Sequence, residues 1–270
     1  MLRHIAAATL LVAAITGISQ AMAETTVRLH AAGSLKAAMG EVADAFEAGH
    51  AATVMRAFGP SGLLRERIEG GEAAEVFASA NMKHPTTLAA AGKAAPVVLF
   101  ARNRLCALVQ PGIETDTSSL LETMLREDIR VGTSTPKADP SGDYAFQVFD
   151  KAEALAPGAT AALKAKALQL TGGKTSEKAP EGRNTYGWVM DSGKADIFLT
   201  YCTNALLAQS EVPSLAIVQL PPQLSVGADY GLTVMDGASQ EAWALALHIL
   251  SPAGQAILAK YGFDAPGVTQ

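Results

Sequence analysis

The chain has 270 residues, with 21 Lys and Arg against 26 Asp and Glu for a formal net charge of −5, and two cysteines. That length admits one large domain or two lobes with ample core, and 49% hydrophobic against 17% charged residues excludes a disordered chain. The acidic balance, without any basic run, excludes a nucleic-acid partner; Cys106 and Cys202 are too few for a disulfide scaffold and wrongly spaced for a zinc site.

Arg3 and His4 lead into an apolar run from Ile5 to Ile18, and Ala21-Met22-Ala23 supplies a small-x-small cleavage pattern. Residues 1–23 therefore read as a cleaved secretory signal peptide, the run being short for a ~30 Å hydrocarbon core. The mature chain is expected to begin at Glu24, one charge more negative without Arg3, with no cysteine at the cleavage point for a lipid anchor. No later run is apolar for the ~18 residues that a membrane span needs.

Short β-like runs then alternate with helical patterns, which predicts an α/β fold. Val27 to Ala31 forms a strand stopped at Gly33, and a helix opens at Ser34 with Leu35, Met39, Val42 and Phe46 on one stripe. Thr53 to Phe58 is a second strand. After Gly59-Pro60, Ser61 opens a short helix that ends at Gly70-Gly71. Further strands are predicted at 76–80, 97–100 and 105–109. A helix over 120–125, a strand over 129–132 and a loop over 133–140 lead to a helix start at Ser141-Gly142. A helix over 184–192, strands at 197–201, 216–220 and 230–235, and two closing helices complete the chain. The second of these begins at Ser251-Pro252, with Ser as cap and Pro at the first helical position. No flexible tether interrupts the pattern, so any boundary between lobes is crossed by strands.

Three strand-to-helix junctions look alike: Ala32-Gly33-Ser34, Gly59-Pro60-Ser61-Gly62 and Asp139-Pro140-Ser141-Gly142. The first amides of a helix lack intrahelical partners and carry the positive end of its dipole. A serine there adds a hydroxyl donor, and several such ends facing one cleft hold an oxyanion without lysines. The simpler role for each serine is to cap its own helix, worth about 1 kcal/mol.

These residues carry a resemblance. His30-Ala31-Ala32-Gly33-Ser34-Leu35, Phe58-Gly59-Pro60-Ser61-Gly62-Leu63-Leu64 running on to Val76-Phe77-Ala78-Ser79-Ala80-Asn81, Pro140-Ser141-Gly142-Asp143-Tyr144-Ala145, the strand ending in Tyr201, and Lys260-Tyr261-Gly262-Phe263 resemble periplasmic molybdate-binding proteins. The resemblance spans essentially the whole mature chain, in order. It implies a two-lobed type II periplasmic-binding-protein fold, with mixed sheets flanked by helices and hinge strands between the lobes. Lobe one would hold 24–104 and 223–270, and lobe two 105–222. By motif, the ligand residues are Ser34, Ser61, Ser141, Arg183 and Tyr201, with Ser34, Ser61 and Tyr201 holding the metal as its oxyanion, molybdate or tungstate. The resemblance further implies a periplasmic monomer with no cofactor and no catalysis, which delivers its ligand to the membrane permease of an ABC importer.

The sequence departs from that family at four places. Ser141 stands where Ala is usual, Arg183 where a small apolar residue is usual, and Glu75 and Asn81 where Asp is usual. An arginine facing the cleft would add a bidentate cationic donor, which tightens the hold on a dianion such as molybdate or turns the site toward a sulfate-like anion or a small carboxylate; with the side chain on the surface, only its backbone N–H would face the cleft. In an oxidising compartment, with both cysteines near the implied hinge, a Cys106–Cys202 disulfide is expected. Other patterns fail on context. Gly173-Lys174-Thr175 lacks the rest of a P-loop, and Ser134-x-x-Lys137 lacks its partner motifs. A secreted serine hydrolase would need His30 or Lys36 as base.

Overall fold

The structure is a computed structural model and describes residues 25–266; the expected leader and the last four residues lie outside the described residues. Strand β1 (Thr25–Ala32) leads through a 3-10 turn at Gly33–Leu35 into α1 (Lys36–Gly49), followed by β2 (Ala52–Gly59), α2 (Ser61–Glu69), β3 (Val76–Ser79) and α3 (Lys83–Ala90). The long strand β4 (Val98–Val109) leads on to α4 (Leu120–Leu125), β5 (Val131–Ser134), α5 (Pro140–Ala152), α6 (Ala159–Lys166) and β6 (Leu168–Thr171). Then come α7 (Thr185–Asp191), β7 (Ile197–Tyr201), α8 (Cys202–Glu211) and β8 (Ala216–Gln219). The chain closes with β9 (Gly227–Val234), α9 (Gln240–Leu250) and α10 (Pro252–Lys260).

The strands form one curled, mixed sheet in the order β2-β1-β3-β9-β4-β7-β5-β6, with β8 also paired to β4. In its first half β1 lies parallel to β2 and β3, joined by the crossover helices α1 and α2. In its second half β5 lies parallel to β6 and β7. Strand β4 belongs to both halves: Val98–Arg104 pairs with β9, and Leu105–Val109 pairs with β7 and β8. The two separate strands predicted over 97–109 are thus one. Their apparent gap alternates buried Ala101 and Asn103 with Arg102 and Arg104, whose guanidiniums reach Asp229 at 3.0 Å and Asp264 at 3.7 Å. Two arginines within three residues hid a period-2 strand whose outer face is salt-bridged.

Val27, Leu29 and Ala31 of β1 are fully buried, and His30 on the opposite face is buried as well. A strand covered on both faces reads as a near-continuous apolar run. The hydrophobic stripe of α1, Met39, Val42 and Phe46, is fully buried as its spacing predicts. Elements absent from the sequence reading are α3, α6, β6 and α8, which are short, interrupted by Pro85 in α3, or half exposed as at Leu206 in α8. Helix α5 starts at Pro140, one residue before its predicted start, because Asp139 caps it.

Cys106 of β4 and Cys202, the first residue of α8, form a disulfide with Cα atoms 4.9 Å apart, inside a cluster with Leu108, Val189, Met190 and Phe198. Mass spectrometry of the unreduced protein should find no alkylatable thiol. Because the bond spans 96 residues, reduction should lower stability by roughly 4 kcal/mol on the chain-entropy estimate, read as an earlier urea midpoint.

Candidate functional site

The carboxyl ends of β1, β2, β5 and β7 each open directly into a helix or turn, the arrangement in which α/β sheets present ligand sites. Gly33 and Gly59 lie side by side there, since a Cβ on Gly33 would stand 4.0 Å from the Gly59 carbonyl. None of the three junction serines caps its own helix. Ser34, half-buried in the 3-10 turn, places Oγ 3.0 Å from the Tyr230 hydroxyl of β9. Ser61, the fully buried first residue of α2, accepts the Ala80 amide at 3.1 Å through its Oγ. Ser141 donates its amide to Asp139 Oδ1 at 3.0 Å, while its fully buried Oγ has no hydrogen-bond partner among the described residues. A buried polar group left without a partner costs about 1–3 kcal/mol.

Tyr201 ends β7 with its side chain 1% exposed and donates its hydroxyl to the Ala80 carbonyl at 3.4 Å. The Ala80 residue therefore binds Ser61 through its N–H and Tyr201 through its C=O. Tyr230 and Tyr144 complete an aromatic cluster, with ring centroids 5.6 and 6.2 Å from Tyr201. Burial pushes the Tyr201 hydroxyl well above the ordinary tyrosine range and Tyr144 up to about 12, so both stay protonated donors.

The two halves meet directly at this place. Gly62 N donates to Ala138 O at 2.9 Å, and a Cβ on Gly62 would lie 2.3 Å from Lys137 O, so only glycine permits the approach. Lys174 pairs with Glu66 of α2 at 2.6 Å across the same gap. Ser34, Ser61 and Tyr201 are thereby linked through Tyr230 and Ala80, and the Gly62–Ala138 contact brings the helix start that carries Ser141 alongside that of Ser61.

Arg183 is not part of this grouping. Its Nε donates to Glu211 at 2.6 Å and its Nη2 to Asp191 at 3.0 Å, while its backbone N–H bonds Pro180 O at 3.1 Å. Surface carboxylates on α7 and α8 take up the guanidinium, so of the two placements open from the sequence the side chain takes the surface one. The other departures also have structural roles. Glu75 accepts the amides of Arg28 and Ser239 at 2.9 and 3.1 Å, and Asn81 Oδ1 accepts the His84 amide at 3.0 Å.

The sequence reading missed Asp139, Asp143, Asn103 and Tyr230. Burial pushes the Asp139 carboxyl up to about 6, although it caps the Ser141 amide, and it raises Asp143 too, whose Oδ1 accepts Lys137 N at 2.8 Å. The D-P-S-G spacing does signal a capping Asp139; no spacing links Tyr230 to Ser34, 196 residues away. Beside the cleft lies a cavity of about 520 Å3, lined by Asn81, Lys83, Asp143, Tyr144, Gln147 and Asp229. A larger groove of about 730 Å3 runs along α4 past Leu121, Leu125, Leu155 and Pro222, with none of the gathered hydroxyls in its wall. Among the described residues no group of three or more His, Cys, Asp or Glu could hold a metal ion; the polar groups gathered here are hydroxyls and backbone amides.

The model of the bacterial extracellular solute-binding protein family matches residues 27–264. A Pasteurella multocida protein described only as uncharacterized is 39% identical over 178 residues, 65% of this chain and 73% of that one. The structure is similar to the periplasmic molybdate-binding protein of Azotobacter vinelandii, with TM-score 0.68, 20% identity, and coverage of 89% of this chain and 99% of that one. It is also similar to the sulfate-binding protein SubI of Mycobacterium tuberculosis, with TM-score 0.72, 18% identity, and coverage of 90% and 88%. At these identities the likeness establishes the fold: a two-lobed periplasmic-binding-protein architecture.

The Asp139 shift has a stability consequence of defined sign. The carboxyl titrates near 6 when folded and near 3.8 when unfolded, so the folded state holds the extra proton between those values and stability falls as pH rises through that window. Asp139→Asn removes the cost of ionisation. The variant should be more stable than the parent by about 1–2 kcal/mol at pH 7–8, with the difference vanishing near pH 4, as measured by urea unfolding across pH.

Proposed function

Because the chain belongs to the bacterial extracellular solute-binding proteins, we propose that it captures a tetrahedral oxyanion, with molybdate or tungstate as the expected ligand, and delivers it to the permease of an ABC importer. The observation that carries this reading is the Ser141 hydroxyl, fully buried in the first turn of the 13-residue helix α5 and without a partner among the described residues. An oxygen of the ligand would satisfy it. The positive end of α5, the hydroxyls of Ser34 and Ser61, and Tyr201 would supply the rest of the cradle.

Lobe one, residues 24–104 with 223–270, and lobe two, residues 105–222, would close over the ligand by bending at β4 and β9. The protein would work as an exported monomer in the periplasm, where the Cys106–Cys202 disulfide suits an oxidising compartment. An organic anion is the second reading, and the 520 Å3 cavity beside Tyr144 favours it, being roomier than a bare oxyanion requires. Arg183 does not support that reading, since its guanidinium is engaged by Glu211 and Asp191. A hydrolytic reading through His30 finds no nucleophile: Glu72 engages its Nε2 at 2.9 Å, and its buried Nδ1 has no hydrogen-bond partner among the described residues.

Thermal unfolding and calorimetry against molybdate, tungstate, sulfate and phosphate test the proposal. Micromolar molybdate or tungstate should raise the melting temperature, since a ligand of the folded state adds RT ln(1 + [L]/Kd). Ser61→Ala should weaken that binding by about tenfold or more, the loss of one hydrogen bond to a charged group. A response to sulfate or phosphate alone would keep the class and change the ligand; no response to any oxyanion would overturn the reading. Gly62→Ala should fold normally and bind several-fold more weakly, because its methyl group holds α2 away from Lys137.

A further inference from the structure

We propose that Tyr230, oriented by Asn103, sets the specificity of the oxyanion site by holding the Ser34 hydroxyl as a donor to the ligand. The inference rests on the oxyanion reading above and goes further, naming the protonation state of the anion that the site selects.

Proton bookkeeping along the chain of hydrogen bonds carries it. Asn103 is 5% exposed, and its Oδ1 accepts the Arg104 amide at 2.9 Å, which fixes which end of the side-chain amide is oxygen. Its Nδ2 then carries two hydrogens, one directed to Thr203 Oγ1 at 2.8 Å and one to the Tyr230 hydroxyl at 3.3 Å. Tyr230 is fully buried and owns a single proton. With Asn103 donating to its oxygen and the Tyr201 hydroxyl as a third neighbour, that proton goes to Ser34 Oγ at 3.0 Å, the shortest of the hydrogen bonds this hydroxyl makes. Ser34 therefore accepts from Tyr230, and its own hydrogen is left to donate elsewhere.

Ser61 is committed in the same way, because its Oγ accepts from the Ala80 N–H, a group that can only donate. The nearby carboxylate of Asp139 is already engaged by the Ser141 amide and the Ser134 hydroxyl. The cleft thus presents hydroxyl donors and withholds acceptors. Such a set suits an anion without a proton, such as molybdate, tungstate or sulfate, and leaves the hydroxyl of monohydrogen phosphate unpaired. The relay links the hinge strand β4, helix α8 of one half and strand β9 of the other, so the same bonds connect hinge and ligand.

Two variants test this by calorimetry, as the ratio of phosphate Kd to the Kd of the tightest-binding ion among molybdate, tungstate and sulfate. Tyr230→Phe keeps the ring against Phe100 and Phe263 and releases Ser34 to accept as well as donate. Asn103→Asp keeps the shape and the Tyr230 hydroxyl, and reverses the relay, because the tyrosine proton then turns to the new carboxylate. Each should narrow the ratio at least tenfold. A packing role alone would weaken all ions alike and leave the ratio unchanged, and that result in both variants overturns the proposal. So does a parent protein that binds phosphate as tightly as the unprotonated ions. A parent that binds no oxyanion overturns the underlying reading instead. Should Tyr230→Phe fail to fold, Asn103→Asp decides alone.

Discussion

Strand β4 is twelve residues of continuous backbone that exchanges partners midway, from β9 up to Arg104 to β7 and β8 from Leu105 onward. Every helix terminus in the cleft is placed relative to that strand. The first half of the sheet aims α1 and α2 at the cleft, and the second half aims α5 and α8 at it. A mixed sheet with antiparallel strands at its centre gives this result, because parallel crossover units then grow outward on both sides and leave their carboxyl ends facing one another. The disulfide joins β4 to the first residue of α8 just beyond the exchange. It ties Tyr201, the cap of that helix, to the strand around which the halves are arranged.

Where the halves meet, backbone groups do most of the joining. Ala80 receives Tyr201 from the second half and gives its amide to Ser61 of the first, and the Gly62 amide reaches Ala138 directly. Contacts of this kind require close approach. That explains a glycine at position 62 and the burial of Ser61, Ala80, Ser141 and Tyr201 together. Hydroxyls in so dry a setting are strong donors, and each one left unpartnered is costly. The Ser141 hydroxyl is thus an energetic liability, one that the proposed ligand would relieve.

Net charge governs little of this. The protein is acidic overall, and an acidic protein attracts no anion at long range. Helix termini, amides and hydroxyls act within a few ångströms, where local geometry outweighs the summed charge. The nearby carboxylates are held in check by the same burial, which drives Asp139 and Asp143 toward their neutral forms, and by amides that occupy their oxygens. The one arginine that could have made the cleft cationic is drawn to the surface by Glu211 and Asp191.

The sequence by itself determined the alternation of strands and helices, the three serine junctions and Tyr201 at the end of its strand. These are local signals: period-2 and 3.6 patterning, and Gly, Pro and Ser where a strand turns into a helix. Local signals also explain the errors. Arg102 and Arg104 broke the apparent continuity of β4, and the side chain of Arg183 stayed open between cleft and surface because Glu211 lies 28 residues further along the chain. Only tertiary structure could decide what each serine hydroxyl does, since their partners Tyr230 and Ala80 arrive from distant strands. Asn103 and Tyr230 carried no motif at all: Asn103 stands between Arg102 and Arg104, and Tyr230 follows Asp229. Their roles exist only once the sheet places β4, β9 and the turn after β1 side by side, because a hydrogen bond is fixed by distance and direction in space and not by separation along the chain.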